Sequence, residues 1–396
     1  MSSGSGAIWR VTALAAVPFS ASLSVSVISP LLPTIRHATG MSATVGALLY
    51  AIPLLSVSAL APFAPRLARR FGAERIIAVG LALQAASMLV RSGPTLAALF
   101  CGTLLLGVSG TLGNVLAPGV IKRRFDRGAG PAMGVYSTAS LIGAVVGAAA
   151  TVPLMHAIGW SWRATLALWT VAAAVTLLLW LSQLNGSGTG EAAVDVPAYP
   201  KLSHLYRDHL AWEVTLYYGL QNLVYSGAMA WIPSIFVAYG VSQSDAGLLL
   251  AVVNLTGMVT TLTIPLLAAR QPTQGRLVCA TVALLAAGLI GLLVAPVAGA
   301  LVWMVIFGLG QGAAFSLALS LILLRSVDAD QATELTGMTL TFGFLLGALG
   351  PLSLGAVHDL TGGWSWPVCL LLVLLLPLLV FGLGASRDRH VLSSAG

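Results

Sequence analysis

Charged residues are scarce in this chain. Only 8% of its 396 residues are Asp, Glu, Lys or Arg, and 58% are hydrophobic, whereas about a quarter of the residues in soluble domains are charged. The mean hydropathy is +0.94. This balance excludes a soluble globular domain, and the net charge of +7 does not gather on one soluble face as nucleic-acid binding requires. The sequence therefore predicts a protein of the lipid bilayer with no nucleic-acid partner.

Cysteine is scarce as well. The three cysteines are Cys101, Cys279 and Cys369, and their spacing matches neither a disulfide framework nor a metal site. The chain also lacks a helical His-Glu pair and a glycine-rich phosphate loop that ends in lysine. We therefore predict neither an enzyme nor a bound cofactor or metal.

Long apolar runs fill the rest of the sequence and predict an all-α membrane protein. A transmembrane helix needs roughly 20 mainly apolar residues, and the runs do not alternate as barrel strands do. Lipid also offers no hydrogen-bond partner to an open backbone. Twelve spans are predicted, near residues 8–35, 43–65, 75–92, 95–121, 130–158, 162–183, 211–238, 244–269, 276–295, 299–324, 332–357 and 364–385.

One polar segment divides these spans into two groups of six. Residues 184–210 are rich in Gly, Ser, Pro and acidic residues, which is typical of a linker. We therefore expect an N-terminal bundle over residues 1–183, a cytoplasmic linker over 184–210 and a C-terminal bundle over 211–396.

Basic residues concentrate in alternate loops. All but three of the 19, namely Arg36, Arg91 and Arg163, fall on one side of the predicted membrane. The positive-inside rule makes that side the cytoplasm. We expect a multi-pass protein of a bacterial inner membrane with both termini in the cytoplasm.

A repeat joins the two predicted bundles. The stretch "LPTIRHATGMS" at 32–42 matches "IPSIFVAYGVS" at 232–242, and "PRLARR" at 65–70 matches "PLLAAR" at 265–270. Because six crossings keep both repeats in one orientation, the pattern predicts two pseudo-symmetric bundles related by an axis along the membrane normal. This is an architecture of secondary transporters, whose substrate binds near the midplane where the repeats meet.

Longer motifs carry a family resemblance. They include "GNVLAPGVIKRRF" at 113–125, "GLQNLVYSGAMAWIPSIF" at 219–236, "GLGQGAAFSLALSLILLRS" at 308–326 and "GALGPLSLGAVHDLTGGW" at 347–364. Over nearly its whole length the chain resembles the major facilitator superfamily, and more narrowly its branch of cyanate and 2-nitroimidazole transporters. The resemblance implies a monomeric carrier that moves a small molecule across the bilayer by alternating access.

The chain differs from that branch at positions that bear on the choice of substrate. Relatives often have an Arg-Pro pair midway along the first helix, whereas this chain has Ser22 and Leu23, and Thr103 stands where proton-coupled relatives have Arg in the fourth span. Without such a buried cation, we expect a neutral or weakly ionised, nitroimidazole-like solute in preference to an anion such as cyanate. Drug efflux stays an alternative, as do a passive channel and a non-transporting receptor.

The spans offer few groups for proton coupling. No carboxylate lies in the middle of a predicted span, where a proton relay normally needs one. The candidates for protonation are His156 and His358, at matching ends of the fifth and eleventh spans, and Asp359. For the two histidines we favour hydrogen bonding at the membrane interface.

Uncharged polar and aromatic residues are the candidates for substrate binding, because amides hydrogen-bond a neutral solute and rings stack on it. They concentrate in the seventh span, where Tyr217, Gln221 and Tyr225 recur every four residues. The predicted substrate-binding residues are Ser22, Tyr50, Asn114, Tyr136, Tyr217, Gln221, Asn222, Tyr225, Trp231, Asn254 and Gln311.

Each of the stronger candidates has a plainer interpretation. The amides of Asn114 and Gln311 can brace helix packing. Trp231 lies where an aromatic belt at the membrane interface is the default interpretation, and Ser22 can bond to its own backbone.

Small residues and proline are expected to serve packing and gating. Glycines in the fifth and eleventh spans are expected to allow close helix contact at the seam between the bundles, and Pro351 frees a backbone carbonyl. The residues in this group are Gly107, Gly110, Pro118, Gly143, Gly147, Gly347, Gly350 and Pro351.

Overall fold

The computed structural model describes residues 3–61, 63–125, 129–184 and 205–391. Within these ranges the chain is helical and contains no strand. The helices of the first half are α1 (Ser3–Ser26), α2 (Ile28–Thr39), α3 (Ala43–Leu60), α4 (Ala64–Phe71), α5 (Ala73–Arg91), α6 (Leu96–Phe125), α7 (Ala129–Ile158), α8 (Trp162–Leu168) and α9 (Thr170–Leu184). Those of the second half are α10 (His209–Ala238), α11 (Gln243–Ala268), α12 (Gly275–Val294), α13 (Ala300–Leu324), α14 (Ala329–Thr361) and α15 (Ser365–Ala385).

The helices follow the predicted spans. The first span consists of α1 and α2, the sixth of α8 and α9, and the short α4 lies in the loop after the second span. Among the described helices, 11 segments are long and apolar enough to cross a membrane. The seventh predicted span, α10, is not among them although it has 30 residues. Its tyrosines and amides lower its mean hydropathy.

The first span is broken at Val27. Pro30 and Pro33 have no N–H and cannot donate to the carbonyls four residues earlier. Two helical hydrogen bonds in all are therefore missing near the start of α2. Val27 itself still donates to the carbonyl of Leu23 at 3.1 Å. The break is therefore local, and α1 and α2 continue as one segment across the membrane.

The described residues form two compact units. The first contains the described residues up to 39 and from 55 to 184, and the second contains residues 40–54 and 205–391. Residues 185–204 of the predicted linker lie outside the described residues. The first part of α3 thus belongs to the second unit. The predicted N-terminal bundle, in contrast, contains all of residues 1–183.

A cap from far along the chain explains this grouping. The Asp359 carboxylate accepts hydrogen bonds from the backbone N–H groups of Ala43, at 2.8 Å, and Thr44, at 2.7 Å, and from the Thr44 hydroxyl at 2.7 Å. The first N–H groups of a helix have no partner within the helix, and a carboxylate there also faces the positive end of the helix dipole. The side chain of Asp359 therefore holds the start of α3.

Glycines permit close packing inside each unit. A Cβ on Gly143 or Gly147 of α7 would meet the carbonyls of Phe19 or Leu23 in α1. A Cβ on Gly350 of α14 would meet the carbonyl of Leu223 in α10. The contacts repeat between the halves, but these glycines bring together two helices of one unit, and not two bundles as the sequence analysis expected.

Candidate functional site

The polar side chains of α10 face protein. From Tyr217 to Phe236 every residue of this helix except Tyr225 is buried. The helix packs against α11, α13, α14 and α15 of the same unit. Its amides therefore meet neighbouring helices, and each polar atom must find a partner there or in a bound molecule.

Gln221 of α10 and Gln311 of α13 meet in the interior of the second unit. The Gln221 Nε2 atom donates a hydrogen bond to Gln311 Oε1 at 3.3 Å. The two side chains are only 2% and 3% exposed. Both residues are among the predicted substrate-binding residues, and the structure brings them together.

This amide pair leaves one donor and one acceptor unused. Among the described residues, Gln221 Oε1 and Gln311 Nε2 are buried without a hydrogen-bond partner. Exchanging O and N in both amides would keep the contact and would again leave one nitrogen and one oxygen. An unpaired buried polar group costs about 1 to 3 kcal/mol. The pair thus retains the capacity for one further donor and one further acceptor.

Two more predicted residues meet beside this pair. Tyr225 lies one helical turn after Gln221 and donates its hydroxyl hydrogen to Asn254 Oδ1 of α11 at 3.3 Å. Asn254 Nδ2 donates to the carbonyl of Leu250 at 3.1 Å. We call Gln221, Gln311, Tyr225 and Asn254 the amide cluster. Tyr50 of α3 belongs to the same unit and is half-buried.

Two other predicted residues of α10, Asn222 and Tyr217, face different helices. Asn222 Nδ2 donates to the carbonyl of Gly343 in α14 at 3.0 Å. The ring of Tyr217 lies near Gly382 of α15, and its hydroxyl has no hydrogen-bond partner among the described residues. These contacts join α10 to α14 and α15, and not to α11 and α13, which carry the other residues of the amide cluster.

Trp231 occupies the core. Its side chain is 0% exposed, and its Nε1–H donates to the carbonyl of Pro351 at 2.9 Å. Its ring lies 5.0 Å from that of Trp364. The interpretation as an aromatic-belt residue at the membrane surface is therefore wrong, because the indole is enclosed by α10, α14 and the start of α15.

Proline in α14 leaves a carbonyl that α10 uses. Pro351 lacks the N–H that would donate to Gly347, and the Ser226 hydroxyl donates to that carbonyl instead. The freed carbonyl expected from the sequence is thus a contact between α14 and α10.

The predicted residues of the first unit lie apart from one another. The hydroxyls of Ser22 in α1 and Ser140 in α7 are hydrogen-bonded at 2.6 Å, so Ser22 bonds to another helix and not to its own backbone. Tyr136 packs against a small apolar cluster that includes Leu14. Gly110 has nothing within 4 Å of the place where a Cβ would lie, so it permits no close packing. The side chains of Asn114 and Pro118 lie outside the described residues.

The candidates for protonation lie near helix ends. His156 is exposed. The ring of His358 stacks on Trp364 with centroids 4.0 Å apart, and the carboxylate of Asp359 caps α3 as described above.

The comparisons with known proteins decide the family. The Major Facilitator Superfamily model matches residues 14–351. The chain belongs to the major facilitator superfamily. The 2-nitroimidazole transporter of Escherichia coli (strain K12) is 37% identical over 364 residues, which are 92% of this chain and 91% of that protein. The cyanate transport protein CynX of the same organism is 32% identical over 343 residues, 85% and 86% of the two chains.

Solved structures agree with this superfamily assignment. A bacterial homolog of the human lysosomal transporter Spinster, in an inward-facing and occupied conformation, has a TM-score of 0.81 over 98% of each chain. At 16% identity that likeness shows the fold alone. This superfamily member is thus a multi-pass membrane transporter and not an enzyme, and the predicted fold and branch resemblance are confirmed.

Two arginines of this superfamily member have roles that the charge pattern missed. Arg325, at the end of α13, is 2% exposed and donates to the carbonyls of Ala385 at 2.9 Å and Ser386 at 3.1 Å, and to Gln274 Oε1. Burial lowers the pKa of Arg325, and Asp388, 3.7 Å away, acts in the opposite direction. Arg91, assigned to an outer loop by its position, is 1% exposed.

Proposed function

We propose that this transporter carries a small, neutral or weakly ionised organic solute, similar in kind to a nitroimidazole, and binds it at Gln221 and Gln311. The observation that carries the proposal is the buried amide pair with one oxygen and one nitrogen unused. The similarity to a 2-nitroimidazole transporter supports the solute class.

The chemistry of the amide cluster suits an unsaturated nitrogen heterocycle. Such a ring has an N–H donor and, beside it, a ring nitrogen or a substituent oxygen that accepts, so it can satisfy both unused amide atoms at once. Tyr225 supplies an aromatic surface next to Gln221. Between Val214 and Ala238 α10 has no charged side chain, and α13 has none. A fully ionised solute would therefore lack a counter-charge on these helices.

The wider scheme is part of the same proposal. The carrier is a monomer with bundles over residues 1–183 and 211–396, and both termini lie in the cytoplasm of a bacterial cell. Transport proceeds by alternating access, so that the site opens to one side of the membrane at a time. The remaining predicted residues serve as secondary contacts or as packing, and drug efflux is the rival function.

Counterflow in liposomes is the test. The full chain is reconstituted with unlabelled 2-nitroimidazole inside, and the entry of labelled compound is followed, with cyanate in a parallel assay. Counterflow needs no ion gradient and separates a carrier from a passive channel. The variants are Gln221→Met and Gln311→Met, singly and together. Gln183→Met is the matched control, because Gln183 is a buried amide of the first unit that donates to the carbonyl of Trp9 at 2.9 Å.

Stability separates binding from packing. If the pair binds solute, each methionine variant raises the KM for counterflow by about 5- to 30-fold, since a buried hydrogen bond is worth about 1 to 2 kcal/mol. In the double variant the thermal midpoint stays unchanged or rises, because methionine fills the space and both amides are gone. Each single variant lowers the midpoint, because the remaining amide loses its partner. A lowered midpoint with an unchanged KM would mean that the pair only braces the helices. Counterflow of neither compound would contradict the solute class and favour drug efflux.

A further inference from the structure

The guanidinium of Arg91 lies inside the first unit. Arg91 is the last residue of α5 and is 1% exposed. Its Nη1 atom donates to the carbonyl of Ser24 in α1 at 2.9 Å and lies 3.6 Å from Met88 Sδ. Gly102 of α6 makes room for it, because a Cβ at that position would collide with the Arg91 side chain. The arginine is thus built into the helix packing.

The buried charge has no counter-charge in the described part of this unit. Arg91 makes no ion pair there, and its Nε atom is buried without a hydrogen-bond partner. The one carboxylate among the described residues of the unit is Glu74. It stands 17 positions earlier on the same helix, which at 1.5 Å per residue is roughly 25 Å away.

Neighbouring groups add positive and not negative charge. Arg163 donates from Nε to the carbonyl of Gly93 and from Nη2 to the carbonyl of Pro94, both at 3.1 Å. These residues form the turn that directly follows Arg91. Two arginines therefore lie at this end of α5, and in the described part of the chain the groups that accept from them are backbone carbonyls and a thioether. A guanidinium stays charged at neutral pH, and a charge inside a membrane protein is costly unless it is paired with another charge or with backbone carbonyls. Arg91 has one such carbonyl, that of Ser24, and its Nε–H has none.

We propose that the first unit binds a small monovalent oxyanion, such as a carboxylate or nitrate, at the Nε side of Arg91. On that side Nε–H and one N–H of Nη2 point in parallel, which is the geometry that binds two oxygens of a planar anion. Nη1 is already engaged with Ser24, so it anchors the side chain while the other edge receives the ligand. Arg91 is a buried cation of the first unit, whereas the Arg-Pro pair of the first helix and the Arg of the fourth span are absent from this chain.

Direct binding tests the inference. Purified full-length protein in detergent is titrated with labelled formate, and nitrate is used as competitor. The ionic strength is held constant with sodium gluconate, because gluconate is a bulky anion. Wild type is compared with Arg91→Lys, which keeps the charge but has no fork of parallel donors. Arg75→Gln is the matched control, because Arg75 is an exposed arginine at the other end of α5.

We expect saturable formate binding that nitrate displaces, and at least a tenfold loss of affinity in Arg91→Lys but not in Arg75→Gln. The thermal midpoint of wild type should rise by about 3 °C when the anion is at a hundred times its dissociation constant. No saturable binding to wild type, or equal affinity in Arg91→Lys, would overturn the inference. Because the readout is anion binding, the result is independent of the transported solute proposed above.

Discussion

The hydroxyl of Ser226 donates to the carbonyl of Gly347, the group that lost its helical donor because residue 351 is proline. The carbonyl that proline leaves without a helical donor therefore makes a contact between α14 and α10. Trp231 adds a second hydrogen bond between α10 and α14, since its indole N–H donates to the carbonyl of Pro351 at 2.9 Å. The helix that carries half of the amide pair is thus held by the backbone of its neighbour.

Removing the Ser226 hydroxyl should weaken the second unit. In Ser226→Ala the Gly347 carbonyl is left buried without a donor, and we expect a loss of about 1 to 2 kcal/mol of unfolding free energy. Ser353→Ala is the control, because that hydroxyl bonds within its own helix, to Gly350 at 3.0 Å, and its loss should cost under about 0.5 kcal/mol. Denaturant unfolding measures both. Equal losses would contradict the special role of the freed carbonyl.

Adding one methyl group should have opposite effects at two glycines. Gly350→Ala places a Cβ against the carbonyl of Leu223 and, at 2.9 Å, against the backbone nitrogen of Gly227. Backbone cannot move aside easily, so we expect a loss of about 1 to 3 kcal/mol. Gly110→Ala meets nothing within 4 Å and should be neutral or should stabilise α6 by up to about 1 kcal/mol. Thermal midpoints of the purified variants test this, and destabilisation by Gly110→Ala would contradict the packing described.

The two members of one ion pair should differ in importance. Arg325→Gln removes the guanidinium that donates to the carbonyls of Ala385 and Ser386 and to Gln274 Oε1. We expect a loss of about 2 to 4 kcal/mol, because the Ala385 carbonyl and Gln274 Oε1 lose this donor, whereas the Ser386 carbonyl keeps the backbone N–H of Gln274 at 3.3 Å. Asp388 is 65% exposed, so Asp388→Asn should cost under about 1 kcal/mol. Unfolding of each variant in detergent gives the comparison. A large effect of Asp388→Asn would show that the ion pair, and not the backbone contacts, fixes this end of α13.

Helix positions were predictable because they depend on a local property. Most spans are apolar over nearly their whole length, and the predicted limits of 276–295 and 364–385 match α12 (Gly275–Val294) and α15 (Ser365–Ala385) within one residue. The contact of Gln221 with Gln311 was not predicted, because the sequence marks both only as amides in otherwise apolar spans.

Side-chain direction was not predictable in the same way. The charge pattern records where an arginine lies along the chain, and Arg91 at a helix end counts as a loop residue although its long side chain reaches inward to Ser24. Trp231 was placed by its depth in the span, whereas the neighbour that encloses it, Trp364, is more than a hundred residues later. Such contacts depend on which helices pack together, and a single sequence does not contain that information.

The cap on α3 has a consequence for biosynthesis. Thr44 and Asp359 are 315 residues apart, and a ribosome adds about 5 to 20 residues per second. The start of α3 therefore waits roughly 15 to 60 s for its capping carboxylate. Until then its first N–H groups depend on water or lipid headgroups for partners. The second span is among the first to enter the membrane and among the last to be completed.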